Sequence, residues 1–306
     1  MLHIVIIANP AAGGGRFARI ERRMIKELRS GGFSVDVERS TGPGDCESFA
    51  RAAPKGAIVC AAGGDGTVSE VVNGVLSGNG KHVVTVIPCG TGNDFAMAIG
   101  LPEEPLKAVD ALRTAVERRV DCGRVSWTGP LGVRSRYFCN AAGIGLDAAA
   151  SRCAVRWKSI FGKASYTLAA VATLLRWPDA SLRVDYDHPG DGVIELDAGL
   201  FACACNGARS GGGFLLAPEA TVTDGVLDIC VVRKPGLMRA LRLLPRVRRG
   251  THTEAEEVTL VRTRRASITF DRVLDVHVDG EILGDRVRSL RVEILKGALA
   301  VFAPPL

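Results

Sequence analysis

Short apolar runs alternate with stretches of helical period through residues 1–120 of the 306-residue chain, and the rhythm changes near Asp121. Runs at 2–8, 33–38, 56–62 and 82–87 have the length and composition of strands, while 16–30, 46–52, 68–76 and 105–118 carry apolar residues at helical spacing. Strand-then-helix repetition predicts an α/β domain, a parallel sheet with helices on both faces. In such a sheet the loops leaving the carboxyl ends of the strands form the ligand crevice. Past Asp121 the chain turns to β-branched runs broken by turn residues, at 136–140, 182–186, 193–206, 226–232, 258–262, 267–270, 273–278, 289–294 and 298–302. These predict an antiparallel β-sandwich or barrel, interrupted by helical insertions at 148–176 and 235–247. Two domains follow, 1–120 and 121–306, the last strand either returning to the first or closing the second.

Glycine concentrates at the predicted strand ends. Gly63, Gly64, Asp65, Gly66 and Thr67 stand between a strand and a helix. Glycine lets the backbone approach a ligand and adopt positive φ, and the N–H groups opening the next helix face an anion. A loop that only held phosphate would gain nothing from a carboxylate, so Asp65 is expected to hold a metal ion or accept a proton from a substrate hydroxyl. Asn9, Pro10 and the glycines 13–15 precede a basic helix beginning near Arg16 and offer the same donors. Thr41 ends the second strand, where its hydroxyl either contacts nucleotide or closes a turn. Gly90, Thr91, Gly92, Asn93 and Asp94 follow the fourth strand; the Asn–Asp pair either caps the next helix or recognises a hydroxyl or metal-bound water near Asp65. Three such loops on one sheet edge point to phosphoryl transfer.

In the second half, 143–147 reads as a weaker glycine-rich turn with Asp147 as an N-cap. Asp224 and Gly225, with neighbouring carbonyls, suit a hard cation. Asp279, Gly280 and Glu281 end a strand; a hairpin turn explains the first two, and Glu281 has a chemical role only if that turn faces Asp65.

Composition narrows the classes. Hydrophobic residues make up 47% and aromatics 5%, a globular balance, and no apolar run approaches the roughly 18–20 residues of a membrane span. The first residues lack a basic leader and read as a strand, not a signal peptide. Nine cysteines include no C-x-x-C pair; only Cys203 and Cys205 are close, and most others sit in strand-like runs, so a reduced cytoplasmic protein is expected. The net charge of +6 is gathered at 152–163, 239–249 and 262–265. Without an aromatic-interleaved basic strand no nucleic-acid partner is expected, which leaves anionic headgroups or water to meet these clusters.

In chain order the motifs are NP-x2-GG, GGDGT-x2-E-x2-NG, P-x-GT-x-NDFA, GGG-x3-AP, DG-x-LD and DGE. The set resembles the bacterial diacylglycerol kinase catalytic family, which includes soluble lipid kinases and is related to sphingosine and ceramide kinases. The likeness runs from about Leu2 to Val301; GGDGT alone is shared with NAD kinases, and the ordered set is far more specific. The resemblance implies a two-domain ATP-dependent lipid kinase, with a phosphofructokinase- or NAD kinase-like nucleotide domain and a β-sandwich second domain. It implies ATP contacts from Asn9, Pro10, Gly13, Thr41, Gly64, Asp65, Gly66, Thr67, Glu70 and Thr91. It further implies Glu281 as proton acceptor, Asp65 and Asp94 in a Mg2+-linked network that Asp121 adjoins, and a structural Mg2+ around Asp224 with backbone oxygens near Thr221 and Val226. Where some relatives carry a Lys in the first glycine loop, this chain has Arg16.

Phosphoryl transfer needs charge neutralisation and in-line positioning more than covalent help. Either Asp65 or Glu281 can serve as base; Glu281 is favoured, with Asp65 organising metal and water. The expected acceptor is diacylglycerol or a related lipid, and a soluble hydroxylated metabolite, an NAD-like substrate or a silent nucleotide-binding regulator stay as alternatives. The segment 237–249, with Leu237, Leu241 and Leu244 on one face beside arginines, either packs on its own sandwich or meets a membrane peripherally. Nothing in the pattern decides between a monomer and a homodimer.

Overall fold

The computed structural model describes residues 1–78, 80–130, 132–161 and 165–305, with 154–161 and 165–167 described by their backbone. They divide into two compact units. Met1–Cys122, Thr221–Asp224 and Leu295–Leu306 form the first; Gly123–Ala220 and Gly225–Ile294 form the second.

The first unit contains β1 (Leu2–Ala8), α1 (Ala12–Ser30), β2 (Phe33–Arg39), α2 (Asp45–Ala52), β3 (Ile58–Gly63), α3 (Asp65–Gly78), β4 (Val83–Pro88), α4 (Asp94–Ala98) and α5 (Pro105–Ala111). β1 pairs in parallel with β2 and β3, and β3 with β4. Ile4 to Ala8 and all of β3 are buried, the near-continuous apolar runs of strands covered on both faces. α1 turns Phe17, Met24 and Leu28 inward at helical spacing. The end of the chain closes this sheet: Ala300 and Val301 pair in parallel with Val83 and Val84, and Thr85 Oγ1 donates to the Phe302 carbonyl at 2.7 Å. The predicted helix 105–118 is shorter than expected. It opens on Pro105 with the Glu104 carboxylate accepting from the N–H groups of Leu106 and Lys107, and ends at Ala111; a short 3-10 turn, Leu112–Thr114, then leads into a strand at Val116.

That strand, β5 (Val116–Gly129), enters the second unit and forms a hairpin with β6 (Gly132–Phe138). There follow β7 (Ala141–Gly145), α6 (Leu146–Phe161), α7 (Ser165–Leu175), β8 (Leu182–Tyr186), β9 (Gly192–Leu196), β10 (Gly199–Cys205), β11 (Leu227–Arg233), α8 (Leu237–Arg249), β12 (Val258–Thr263), β13 (Arg265–Val278) and β14 (Glu281–Ala303). The hairpin β5–β6 and the pairings among β7, β8, β9, β10, β11, β12, β13 and β14 are antiparallel. β12, β11, β10, β7 and the end of β13 make one run; β13 gives its first half to β8, which pairs with β9, and its register shifts between Thr269 and Leu274. Phe138, Ile144, Phe270, Val276 and Leu290 are among the side chains of this sandwich core.

Several expectations change. The runs 267–270 and 273–278 are one strand, as are 289–294 and 298–302. The insertion 148–176 is two helices, with 162–164 outside the described residues. Residues 143–147 are not a turn but the end of β7 and the start of α6. Their glycines answer to packing: a methyl on Gly145 would stand 2.7 Å from the Leu200 carbonyl oxygen, and one on Gly143 2.6 Å from His277 Nε2. No disulfide joins the cysteines among the described residues; eight are buried and Cys153 is half-buried. No helix is long and apolar enough to cross a membrane, among the described residues.

Gly74 shows how closely the layers approach. A methyl there would overlap the Glu47 carbonyl oxygen and lie 2.8 Å from Ala50 Cβ, so α3 and α2 meet backbone to backbone. Helix propensity alone favours Gly74→Ala by about 1 kcal/mol. Overpacking reverses the sign: the variant is expected to lose about 1–3 kcal/mol, read as a lower urea midpoint at unchanged slope. A midpoint at or above wild type would mean that the helices separate at no cost.

Candidate active site

Three glycine-bearing loops meet at the carboxyl ends of β1, β3 and β4. Gly13, Gly14 and Gly15 have φ of 57°, 67° and 79°, so the right-handed part of α1 begins at Arg16 and exposed main chain precedes it. A side chain on Gly13 would collide with the Cys89 carbonyl oxygen. Asn9 closes this loop by accepting the Ala11 N–H at 3.0 Å, and donates its own N–H to Ala62. Gly64 and Gly90 touch: a Cβ on Gly64 would lie 3.2 Å from Gly90 Cα, and Cys89 and Gly90 both donate to the Gly63 carbonyl at 2.8 and 3.1 Å. Glycine is required at these crossings because two main chains fill the space of one side chain.

Asp65 ties the second loop to the third. Its two oxygens accept the N–H groups of Asn93 at 2.9 Å and Asp94 at 2.8 Å, so the carboxylate caps α4 from another element. Burial pushes the Asp65 carboxyl above its ordinary range, and the amides of Asn93 and Asp94 pull it back only in part. Asn93 does not cap α4 with its side chain. It sits at φ 58° and holds Gly90 instead, accepting its N–H at 3.0 Å and donating to its carbonyl at 3.2 Å. Asp94 is 3% exposed and Asp65 is half-buried, while Thr91 stands exposed at the rim.

Other residues expected here carry structural tasks. Glu70 accepts the N–H groups of Gly44 and Cys46 at 3.0 and 3.1 Å and so caps α2, whose own N-cap is a left-handed glycine. The Thr41 hydroxyl donates to Asp45 at 2.9 Å, beside the N–H groups of Thr41 and Gly42. Thr67 is buried in the first turn of α3, against Gly63, while Gly66 is half-buried. Asp121 accepts the Gly297 N–H at 2.7 Å. Arg16 lies near enough to Cys89 to act on its thiol, which burial nevertheless raises to about 11.

In the second unit the DGE motif is a two-residue hairpin. Asp279 and Gly280 have φ of 48° and 82°, the left-handed pair of a type I′ turn, with Val278 facing Glu281 across it. The Asp279 carboxylate accepts three N–H groups, from Cys139 and Asn140 at 2.8 Å each and Ala141 at 3.0 Å. Glu281 accepts from Arg136 Nη2 at 3.1 Å. No motif spacing points to Arg136 as a partner, nor to the buried contact between His277 Nε2 and Asp147 at 2.8 Å. Burial would lower the His277 imidazole, but the Asp147 carboxylate overcomes it and holds it raised. Asp147, His277 and Cys203 have donor atoms within 4.8 Å of one another. All three stand against Gly143, where a Cβ would meet each of them.

The oxygen donors for Mg2+ are a better fit at the 221–224 segment. Asp224 is exposed in a turn before Gly225, φ 76°, and a carboxylate with main-chain carbonyls is the hard set this ion takes. The Val222 carbonyl is engaged by the Asp121 N–H at 2.7 Å, and Val226 is buried and falls in the second unit.

The second unit also holds an apolar cavity of about 100 Å³, lined by Leu174 of α7, Leu243, Leu244 and Val247 of α8, and Leu200 and Phe201 of β10. Of the basic clusters, Arg262 and Arg265 face Asp228 at 3.8 Å and Asp187 at 3.1 Å, and Arg152 faces Asp275 at 2.7 Å; the other basic side chains of 152–163 lie outside the described residues.

Residues 3–125 match the family model described as the diacylglycerol kinase catalytic domain, and residues 140–303 the one described as the YegS C-terminal NAD kinase beta sandwich-like domain. The diacylglycerol kinase of Bacillus subtilis (strain 168) is 29% identical, covering 91% of this chain and 89% of its own; that of Staphylococcus saprophyticus is 30% identical, with 91% and 88% covered. Among solved structures, a diacylglycerol kinase from Bacillus anthracis str. Sterne superposes with a TM-score of 0.74 at 22% identity, covering 99% of this chain and 97% of that one. Yeast NADH kinase complexed with NADH gives 0.54 at 11% identity, covering 100% and 84%.

The raised Asp65 carboxyl sets a pH signature. A folded-state value above the unfolded one means the native protein binds this proton more tightly, so the contribution to stability is full below the unfolded value, near 3.8, and is lost as pH rises through the raised value. Asp65→Asn lacks the group. The stability of wild type relative to this variant, from urea midpoints, should therefore fall as pH rises across that window; a difference that stays flat or rises would refute the assignment.

Proposed function

Because the chain belongs to the diacylglycerol kinase family, we propose that it transfers the γ-phosphoryl group of ATP to the hydroxyl of a lipid, diacylglycerol or a close relative. The observation that carries the nucleotide half is the junction of glycine loops through Asp65. The main chain at Gly13 and Gly14, which are exposed, and the opening of α3 suit the phosphates, and no side chain at Gly64 or Gly90 stands in the way. The cavity of the second unit is lined by apolar side chains, the kind of surface a hydrocarbon tail meets.

Glu281 is the group we assign to take the hydroxyl proton. Proton loss comes late in a loose transfer, so orientation of the carboxylate matters more than strong basicity. Arg136 provides that orientation from β6, and Asp279 fixes the turn on which Glu281 stands. Mg2+, when bound, neutralises phosphate charge; Asp65 and Asp94 are the carboxylates for that site, with Asp224 and the Thr221 main chain for a structural ion.

Labelled ATP offered with diacylglycerol, sphingoid, ceramide, phosphatidylglycerol, polyprenol and NAD acceptors tests the reading. Label should enter a lipid; label in NAD alone would overturn it. Glu281→Gln should lower kcat by about 10²–10⁴ with the KM for ATP nearly unchanged. Arg136→Ala should also act on kcat, and Arg136→Lys should recover part of it. Wild-type turnover by Glu281→Gln would remove that residue from the chemistry.

A further inference from the structure

α8 carries five arginines and no acidic residue in thirteen positions, and none of its residues is fully buried. Ala240, Leu243, Leu244 and Val247 line the apolar cavity. At about 100° per residue, Leu237 and Leu241 follow Leu244 around one edge of the helix, and Met238 lies beyond them on the outer face. These three are 39%, 43% and 64% exposed. Apolar surface thus continues from the cavity around the helix into solvent, where a helix that only packed on its own domain would present polar residues. α7, which lines the same cavity, exposes Leu168 and Leu175, 41% and 63%.

The arginines sort by partner. Arg239 pairs with Glu256 at 3.2 Å and Glu257 at 2.7 Å, Arg246 donates to the Thr251 carbonyl, and Arg248 stacks over Phe214 at 5.2 Å. Arg242 and Arg249 make no ion pair among the described residues, are exposed, and project close to Met238 around the helix axis. Hydrophobic side chains flanked by unneutralised arginines complement an anionic lipid interface, in which apolar groups enter the acyl boundary and guanidinium groups meet phosphate.

We propose that the outward edge of α8, through Leu237, Met238, Leu241, Arg242 and Arg249, docks on an anionic bilayer and so brings the cavity it lines to the lipid surface. This deepens the lipid-kinase reading and rests on it for its purpose. The docking itself is tested without ATP or turnover.

The full chain is floated with phosphatidylcholine vesicles and with vesicles that also contain phosphatidylglycerol, at low and high salt. It should float with the anionic vesicles and less so as salt rises. Two variants, Leu237→Ser/Met238→Ser/Leu241→Ser and Arg242→Gln/Arg249→Gln, should each lower partitioning about tenfold or more. Thermal melting guards against loss of fold. Both variants should phosphorylate a short-chain, water-dispersed diacylglycerol as wild type does, and lose turnover on vesicles. Absence of flotation, or flotation unchanged in both variants, overturns the proposal; so does a homodimer that dissociates in these variants while vesicle binding persists. Wild-type flotation with no lipid phosphorylated would leave docking standing and remove the kinase reading, whereas lipid phosphorylation without flotation would do the reverse.

Discussion

Two main-chain N–H groups, from Asn93 and Asp94, converge on the Asp65 carboxylate, and the ligand edge of the first unit depends on that pair of bonds. A buried carboxylate is costly unless its oxygens are satisfied, and hydrogen bonds to a charged acceptor contribute about 1.5–3 kcal/mol each. The cost and the gain are nearly opposed here, since burial still raises the carboxyl. Such balance fixes geometry more than it adds stability. It holds Asn93 in a left-handed conformation, sets the start of α4, and goes with Gly90 lying so close on Gly64 that a side chain on Gly90 would collide with it. A carboxylate placed this way keeps further lone pairs for water or a cation, so holding and chemistry do not compete at Asp65.

The second unit repeats the device. Asp279 accepts three amides from 139–141 while its own left-handed φ, with that of Gly280, turns the chain. Of the three letters of DGE, the first anchors, the second turns and the third meets Arg136. Glu281 is positioned by the main chain behind it and by Arg136 in front. An aspartate is needed at 279 because its short side chain reaches the amides of the neighbouring strand from a tight turn; one more methylene would move the carboxylate away from them.

How far these arrangements can be read from the chain depends on how local their causes are. β1 and β3 are continuous apolar runs and α1 has a regular inward stripe, so burial announces them. β7 was hidden because Gly143 and Gly145 look like turn residues; they are glycines since His277, Asp147 and Leu200 occupy the space of their side chains, and those lie far away in sequence. β5 was lost in a charged stretch that also suits a helix. The glycine loops and the place of Asp65 between them are legible because each loop is a compact run between a strand and a helix. Arg136 beside Glu281 and Asp147 beside His277 were not, since each joins residues well over a hundred positions apart. Glu70 and Thr41 stand in the right motifs, yet their polar atoms hold α2 and its entry turn.

Charge taught the same lesson. A net +6 gathered in three clusters suggests three basic patches, but a cluster in sequence is not a patch in space. Arg262 and Arg265 lie beside aspartates, and Arg239 lies between two glutamates, so their fields are cancelled over distances shorter than the screening length of roughly 8–10 Å. What survives is set by arginines that make no ion pair among the described residues. Arg242 and Arg249 meet that condition, and the side chains next to them are apolar and exposed. Charge without a partner and hydrocarbon without a cover both lower their free energy at one kind of surface, where phosphate lies above acyl chains. That coincidence on one helix edge, rather than the total charge, is what the docking proposal for α8 rests on.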